Sequence, residues 1–194
     1  MTVWPHVPGR HLDRDDPIER AAAADLLARL HRAALAVRPG GPRPVDRDAP
    51  PARPDATLAD AELDATLATL PPDLPRGPVH GDFYWRNILV DGGRLALLDW
   101  DEARLDAVVT ELAWSVWEFA KTPGGDALDE ARAAGFLAAY EGAGGPAYPR
   151  NMIVPLIRAN LRAELERGGP HDPAYDAAER RAFAALRPLP TSFA

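Results

Sequence analysis

An aspartate and an asparagine stand five positions apart in His80-Gly81-Asp82-Phe83-Tyr84-Trp85-Arg86-Asn87, and two further aspartates follow in Leu98-Asp99-Trp100-Asp101. Oxygen groups in this pattern suit phosphoryl transfer, in which the protein orients an acceptor hydroxyl and neutralises phosphate charge rather than doing covalent work. Asp82 is the candidate base for the hydroxyl's proton. Asn87 and Asp99 are candidate magnesium ligands, since a hard cation that keeps part of its water shell needs few protein oxygens. Asp101 either adds a metal or water ligand, the reading favoured here, or hydrogen-bonds the backbone at a strand end. Taken singly, an Asp or Asn in a loop is usually a turn former whose side chain bonds nearby backbone. The whole string is what points to a site.

Short strands must position these groups. Pro78 to Gly81, Asn87 to Val90 and Arg94 to Trp100 read as strands, with Asp91-Gly92-Gly93 a turn between the last two. Period-2 alternation then puts Leu95, Leu97, Asp99 and Asp101 on one face, so both carboxylates fall at the carboxyl end of a buried strand, where ligand sites form. The surroundings read as helix. Asp15 or Asp16 caps a first helix with Pro17 in its opening turn, and Leu26, Leu27, Leu30, Ala34 and Leu35 recur at helical spacing to about Val37. A second helix is expected from Thr57 to Leu70, with Leu58, Leu63 and Leu67 apolar. Val108 to Ala120 is apolar nearly all round and therefore central, and three more helices are expected over 126–140, 154–166 and 174–186. Residues 1–16 form an arm without period, and 38–55 are too rich in Pro and Gly to be regular. Fold class is thus α+β and mostly α-helical, with a small β insert carrying the polar motif.

Composition narrows the partners. The 194 residues carry a net charge of −7, which argues against nucleic acid and against an anionic membrane. There is no cysteine, so thiolate chemistry, disulfides and thiolate metal sites are excluded. The start MTVWPHVPGR has no cationic segment leading into an apolar run, and no uncharged run approaches the roughly 20 residues needed to cross a bilayer. A cytoplasmic protein is expected. Arginine supplies nearly all the positive charge; the only lysine is Lys121, so none precedes His80. His31 reads as a core or surface histidine, His6, His11 and His171 as loop residues, and Trp100, Trp114 and Trp117 as core formers.

His80-Gly81-Asp82-x-x-x-x-Asn87 with Leu98-Asp99-Trp100-Asp101 resembles the aminoglycoside phosphotransferase and choline kinase family, within the protein-kinase-like fold. Trp4 to Gly9 resembles the hinge between that family's two lobes, LLARLHR (26–32) the first large helix of its C-terminal lobe, and Glu111-Leu112-Ala113 a common Asp-Leu-Ala. The resemblance implies a hinge-like arm over 1–16 and a kinase-like C-terminal lobe over 17–190, with the N-terminal β lobe absent. It also implies Asp82 as catalytic base, Asn87 and Asp99 on magnesium and nucleotide, and His80 in support of the loop. ATP or another nucleoside triphosphate, Mg2+ and a small hydroxyl-bearing substrate are the implied ligands.

The sequence departs from the family in having no phosphate-covering loop or strand lysine before the motif. Tyr84 stands where many kinase-like enzymes place a basic or imidazole side chain; Arg86 either compensates or simply faces solvent. Two functions are therefore carried forward. One is an ATP- and Mg-dependent phosphotransferase acting on a small molecule; the other is an inactive lobe remnant or binding module. Met1 falls near the expected hinge, so a late recorded start, a separate chain donating the missing lobe, or self-association over the uncovered docking surface is expected.

Overall fold

The computed structural model describes residues 6–36, 55–167 and 172–186. The expected loop over 38–55 lies outside the described residues except at Asp55, and His171 lies outside them as well. Asp16 accepts the amide of Ile18, Pro17 follows, and helix α1 runs Pro17–Ala36. Its buried face follows the expected stripe only in part, at Leu27 and Ala34. Ala23, Ala24, Leu27, Ala28, His31 and Ala34 are buried, whereas Leu26 and Leu30 are only partly covered and Leu35 is exposed. Small side chains let α1 lie close against its neighbours. At Gly77, for example, an added Cβ would sit 3.3 Å from the Ala34 carbonyl carbon and oxygen.

The expected helix over 57–70 is instead broken in two. A 3-10 turn covers Ala56–Leu58 and α2 covers Ala61–Leu67, because Asp60 stops the first and caps the second by accepting the amide of Leu63. Asp60 is itself buried and paired with Arg158, whose Nε also donates to the Phe183 carbonyl at 3.3 Å. A buried cation is thereby satisfied from two sides, and α2 is tied to the last two helices.

Five short strands follow the chain as two antiparallel sheets. β1 (Arg10–His11), β3 (Ile88–Asp91) and β4 (Arg94–Leu97) make one, in the order β1-β3-β4; β2 (Arg76–Val79) and β5 (Arg104–Ala107) make the other. The expected turn is present: Asp91 pairs with Arg94, and Gly92 and Gly93 take positive φ of 53° and 80°, as a two-residue hairpin requires. β4 ends at Leu97, three residues before the expected limit. Neither β1 nor β5 was anticipated.

Helix α3 (Val108–Ala120) has the expected bounds and packs against α4 (Glu130–Gly142) and α5 (Ile153–Arg167), while α6 (Pro173–Ala185) packs on α5. Trp117, Phe119, Phe136 and Tyr140 are fully buried at this junction. Trp117 is the core former that was expected and Trp114 packs partly against the core, but Trp100 is 48% exposed. It stands edge-on to the His80 ring with centroids 4.7 Å apart. Among the described residues no helix is long and apolar enough to cross a membrane.

Candidate active site

The motif occupies the loop between β2 and β3, and α3 holds that loop on both sides of Asp82. Glu111 Oε1 accepts the Gly81 amide at 2.6 Å, and one turn on, Ser115 Oγ donates to the Phe83 carbonyl at 3.3 Å. Phe83 is fully buried, so the loop is pinned from below while Asp82 stays partly open. Gly81 has φ 91°, and an added Cβ would fall 2.2 Å from the Glu102 carbonyl oxygen. Conformation and space both require glycine here.

Asn87 completes the loop. Its Nδ2 donates to the Asp82 backbone oxygen at 3.0 Å and to Oδ2 at 2.9 Å. Its own carbonyl accepts the Leu98 amide at 2.8 Å, which ties the segment that leads into Asp99 to the motif. His80, fully buried, makes a second tie across the same gap. The Asp82 amide donates to its Nδ1 at 3.3 Å, leaving Nε2 to donate to the Leu98 carbonyl at 2.7 Å. Asp99 takes φ 60°, the one positive φ among described non-glycine residues. Aspartate tolerates this left-handed conformation better than most residues, and such outliers concentrate where function needs them. The strand-end alternation expected for Asp99 and Asp101 therefore does not hold: the chain turns sharply after Leu97, and Asp101 sits exposed in the turn that Ala103 closes on Trp100.

The Asp82 carboxyl is raised above its ordinary range. Burial is the main cause and the hydrogen bond from Asn87 opposes it, while the negative charges of Glu118 and Asp99 push further upward. Beside Asp82 opens a cavity of about 720 Å³. Its wall includes Tyr84, Arg86 and Arg14 near the loop, Glu118 from α3 and Lys121 just beyond its end, and Glu164 from α5. Arg86 is exposed, as one of its two readings expects, and it lines the cavity with its guanidinium 4.8 Å from the Trp85 ring centroid. The chain's single lysine, Lys121, is held by Glu118 at 2.5 Å.

Among the described residues no three His, Cys, Asp or Glu side chains converge to hold an ion alone. Asn87 spends its amide nitrogen on Asp82, so its oxygen is the end left for a metal, and Asp99 adds a carboxylate. Two oxygens suit an ion that takes its other ligands from phosphate and water.

A model of the phosphotransferase enzyme family matches residues 1–150. The chain belongs to that family. A homoserine kinase of Pseudomonas aeruginosa is 33% identical over 151 residues, 71% of this chain and 48% of that protein, so the chain spans about half its relative's length. Among solved structures, a choline/ethanolamine kinase family protein from Mesorhizobium loti superposes with a TM-score of 0.65 at 17% identity, covering 97% of this chain and 68% of that one. An amicoumacin kinase in complex with AMP-PNP, Ca2+ and Ami superposes with a TM-score of 0.64 at 12% identity, covering 93% and 62%. These likenesses give the chain the kinase-like α+β fold of the family.

Ser115 and Glu118 were not picked out from sequence. The signal existed: Glu111, Ser115 and Glu118 fall at i, i+4 and i+7 on a mostly apolar helix, one polar line along one side. Arg14, Glu164 and Tyr175 reach the cavity from distant segments, and no local pattern marks them.

Proposed function

We propose that this chain carries the base and magnesium side of an ATP-dependent phosphotransferase that acts on the hydroxyl of a small molecule. The observation that carries the reading is Asp82 at the cavity wall, its carboxylate oriented by Asn87, with Asp99 near enough for its charge to act on Asp82. In this reading the acceptor lies in the cavity and hands its hydroxyl proton to Asp82 as its oxygen attacks the terminal phosphorus. The bond from that phosphorus to the bridging oxygen breaks, and the nucleoside diphosphate leaves with the electron pair. Magnesium held by Asn87 and Asp99 would supply positive charge to the phosphates. The amicoumacin kinase with AMP-PNP and Ca2+ supports a nucleotide and divalent cation as ligands, and the homoserine kinase supports a small hydroxyl acceptor.

The test is transfer from γ-labelled ATP with Mg2+ to a panel of homoserine, choline, ethanolamine and an aminoglycoside. Transfer to at least one acceptor is expected, with Asp82→Ala reducing it by about 10²-fold or more. A second reading is a binding lobe without turnover. It is favoured by one observation: Lys121, the lysine at the cavity wall, is occupied by Glu118. Turnover lost in Asp82→Ala would rule it out; nucleotide binding without any transfer would favour it.

A further inference from the structure

Behind the loop, a line of buried groups runs from α4 through α1 to α3. The Tyr140 hydroxyl is 2.8 Å from His31 Nδ1, His31 Nε2 is 2.9 Å from Glu111 Oε2, and Glu111 Oε1 accepts the Gly81 amide at 2.6 Å. His31 and Tyr140 are fully buried and Glu111 is 3% exposed. We propose that His31 is a positioning residue for Asp82, acting through Glu111 on the Gly81 amide, with Tyr140 fixing its tautomer. The proposal rests on the reading of Asp82 as the base.

For a neutral imidazole facing the Glu111 carboxylate, donors and acceptors along the line match in one direction. Burial pushes the Tyr140 hydroxyl's pKa up, so the phenol keeps its proton and can donate to Nδ1. Nε2 then carries the imidazole hydrogen and donates to Glu111. Each oxygen of the Glu111 carboxylate thus takes one donor, His31 from one side and Gly81 from the other. A carboxylate held at both oxygens cannot rotate, so the Gly81 amide it grips is fixed one residue before Asp82. Removing the His31 donor leaves Oε2 buried and unmatched, and the carboxylate then turns to satisfy it at the expense of Gly81. Tyr140 is itself fixed: an added Cβ at Gly145 would lie 2.3 Å from its ring, and the Tyr148 ring stands edge-on at 6.0 Å. A purely structural histidine would join the three helices without any effect directed at Gly81.

The experiment is the amide proton shift of Gly81 by nuclear magnetic resonance in the full chain, alongside turnover of whichever acceptor is phosphorylated. In the wild type the short bond to a carboxylate places this amide downfield. His31→Phe should move it upfield and lower kcat about tenfold with KM unchanged, while His31→Gln, whose amide can still donate to Glu111, should restore both. Tyr140→Phe, which deletes only the hydroxyl, should move the amide in the same direction by less, and serves if His31→Phe does not fold. A Gly81 amide unmoved in a folded His31→Phe or Tyr140→Phe protein overturns the proposal, as does turnover unaffected by His31→Phe. If the amide moves as expected while no acceptor is phosphorylated, the link to Gly81 stands and the functional reading is what fails.

Discussion

Asn87 grips Asp82 twice, through its backbone oxygen at 3.0 Å and its carboxylate Oδ2 at 2.9 Å, from five residues further along the same loop. One amide group thereby sets both the path of the chain at the base and the direction in which the carboxylate faces. The side chain's other end, the oxygen, takes part in neither bond.

Asn87→Ala removes both bonds and the oxygen. Turnover is expected to fall by at least about 10²-fold, since orientation and charge stabilisation are lost together. The hydrogen bond from Asn87 also lowers the Asp82 pKa, so its loss should shift the acid limb of any residual pH–rate profile upward. Steady-state kinetics across pH check both effects; an unchanged rate would remove Asn87 from the site.

Glu118→Gln should move the same limb the other way. A base works only when ionised, and the Glu118 charge helps keep the Asp82 carboxyl above its ordinary range after burial has raised it. Deleting that charge also frees Lys121, whose positive charge acts in the same sense. The acid limb of kcat/KM is therefore expected at lower pH in the variant, with the difference shrinking at high salt. A profile that superposes on the wild type would show that Glu118 does not act on the base.

Glu179, on α6 and 2% exposed, has its carboxyl pushed up to about 7 from an ordinary 4.5, chiefly by burial. Between those values the folded chain holds a proton that the unfolded chain releases, so stability falls as pH rises through that window and is level above it. Glu179→Gln cannot ionise. It should be the more stable protein at pH 8 by roughly 2 kcal/mol, with the gap closing as pH falls toward 4.5. Urea unfolding midpoints at the two pH values measure this; a gap independent of pH would refute it.

The motif and α3 were legible in the sequence because their signals are local: a fixed spacing of polar groups, and apolar residues around thirteen positions of helix. What was misread depended on partners far along the chain. Asp60 looks like one more polar residue of an amphipathic helix until Arg158 pairs with it and Leu63 lends it an amide. Asp99 looks like a continuing strand, since alternation carries no sign of a left-handed residue. Trp100 is exposed because the chain turns there, and no count of aromatic residues reveals that. His31 is a core histidine, one of the two places the sequence allows it; what the sequence does not show is its line to Gly81, which exists only once α1, α3 and α4 are packed together.

Nucleotide binding by calorimetry is the most direct test of Asp82, Asn87 and Asp99 as a base and magnesium site. AMP-PNP with Mg2+ is expected to bind the wild type and Asp82→Ala alike, and to lose its heat of binding in EDTA or in Asp99→Asn. Absence of binding at millimolar AMP-PNP with Mg2+, or binding equal in EDTA and in Asp99→Asn, would contradict it.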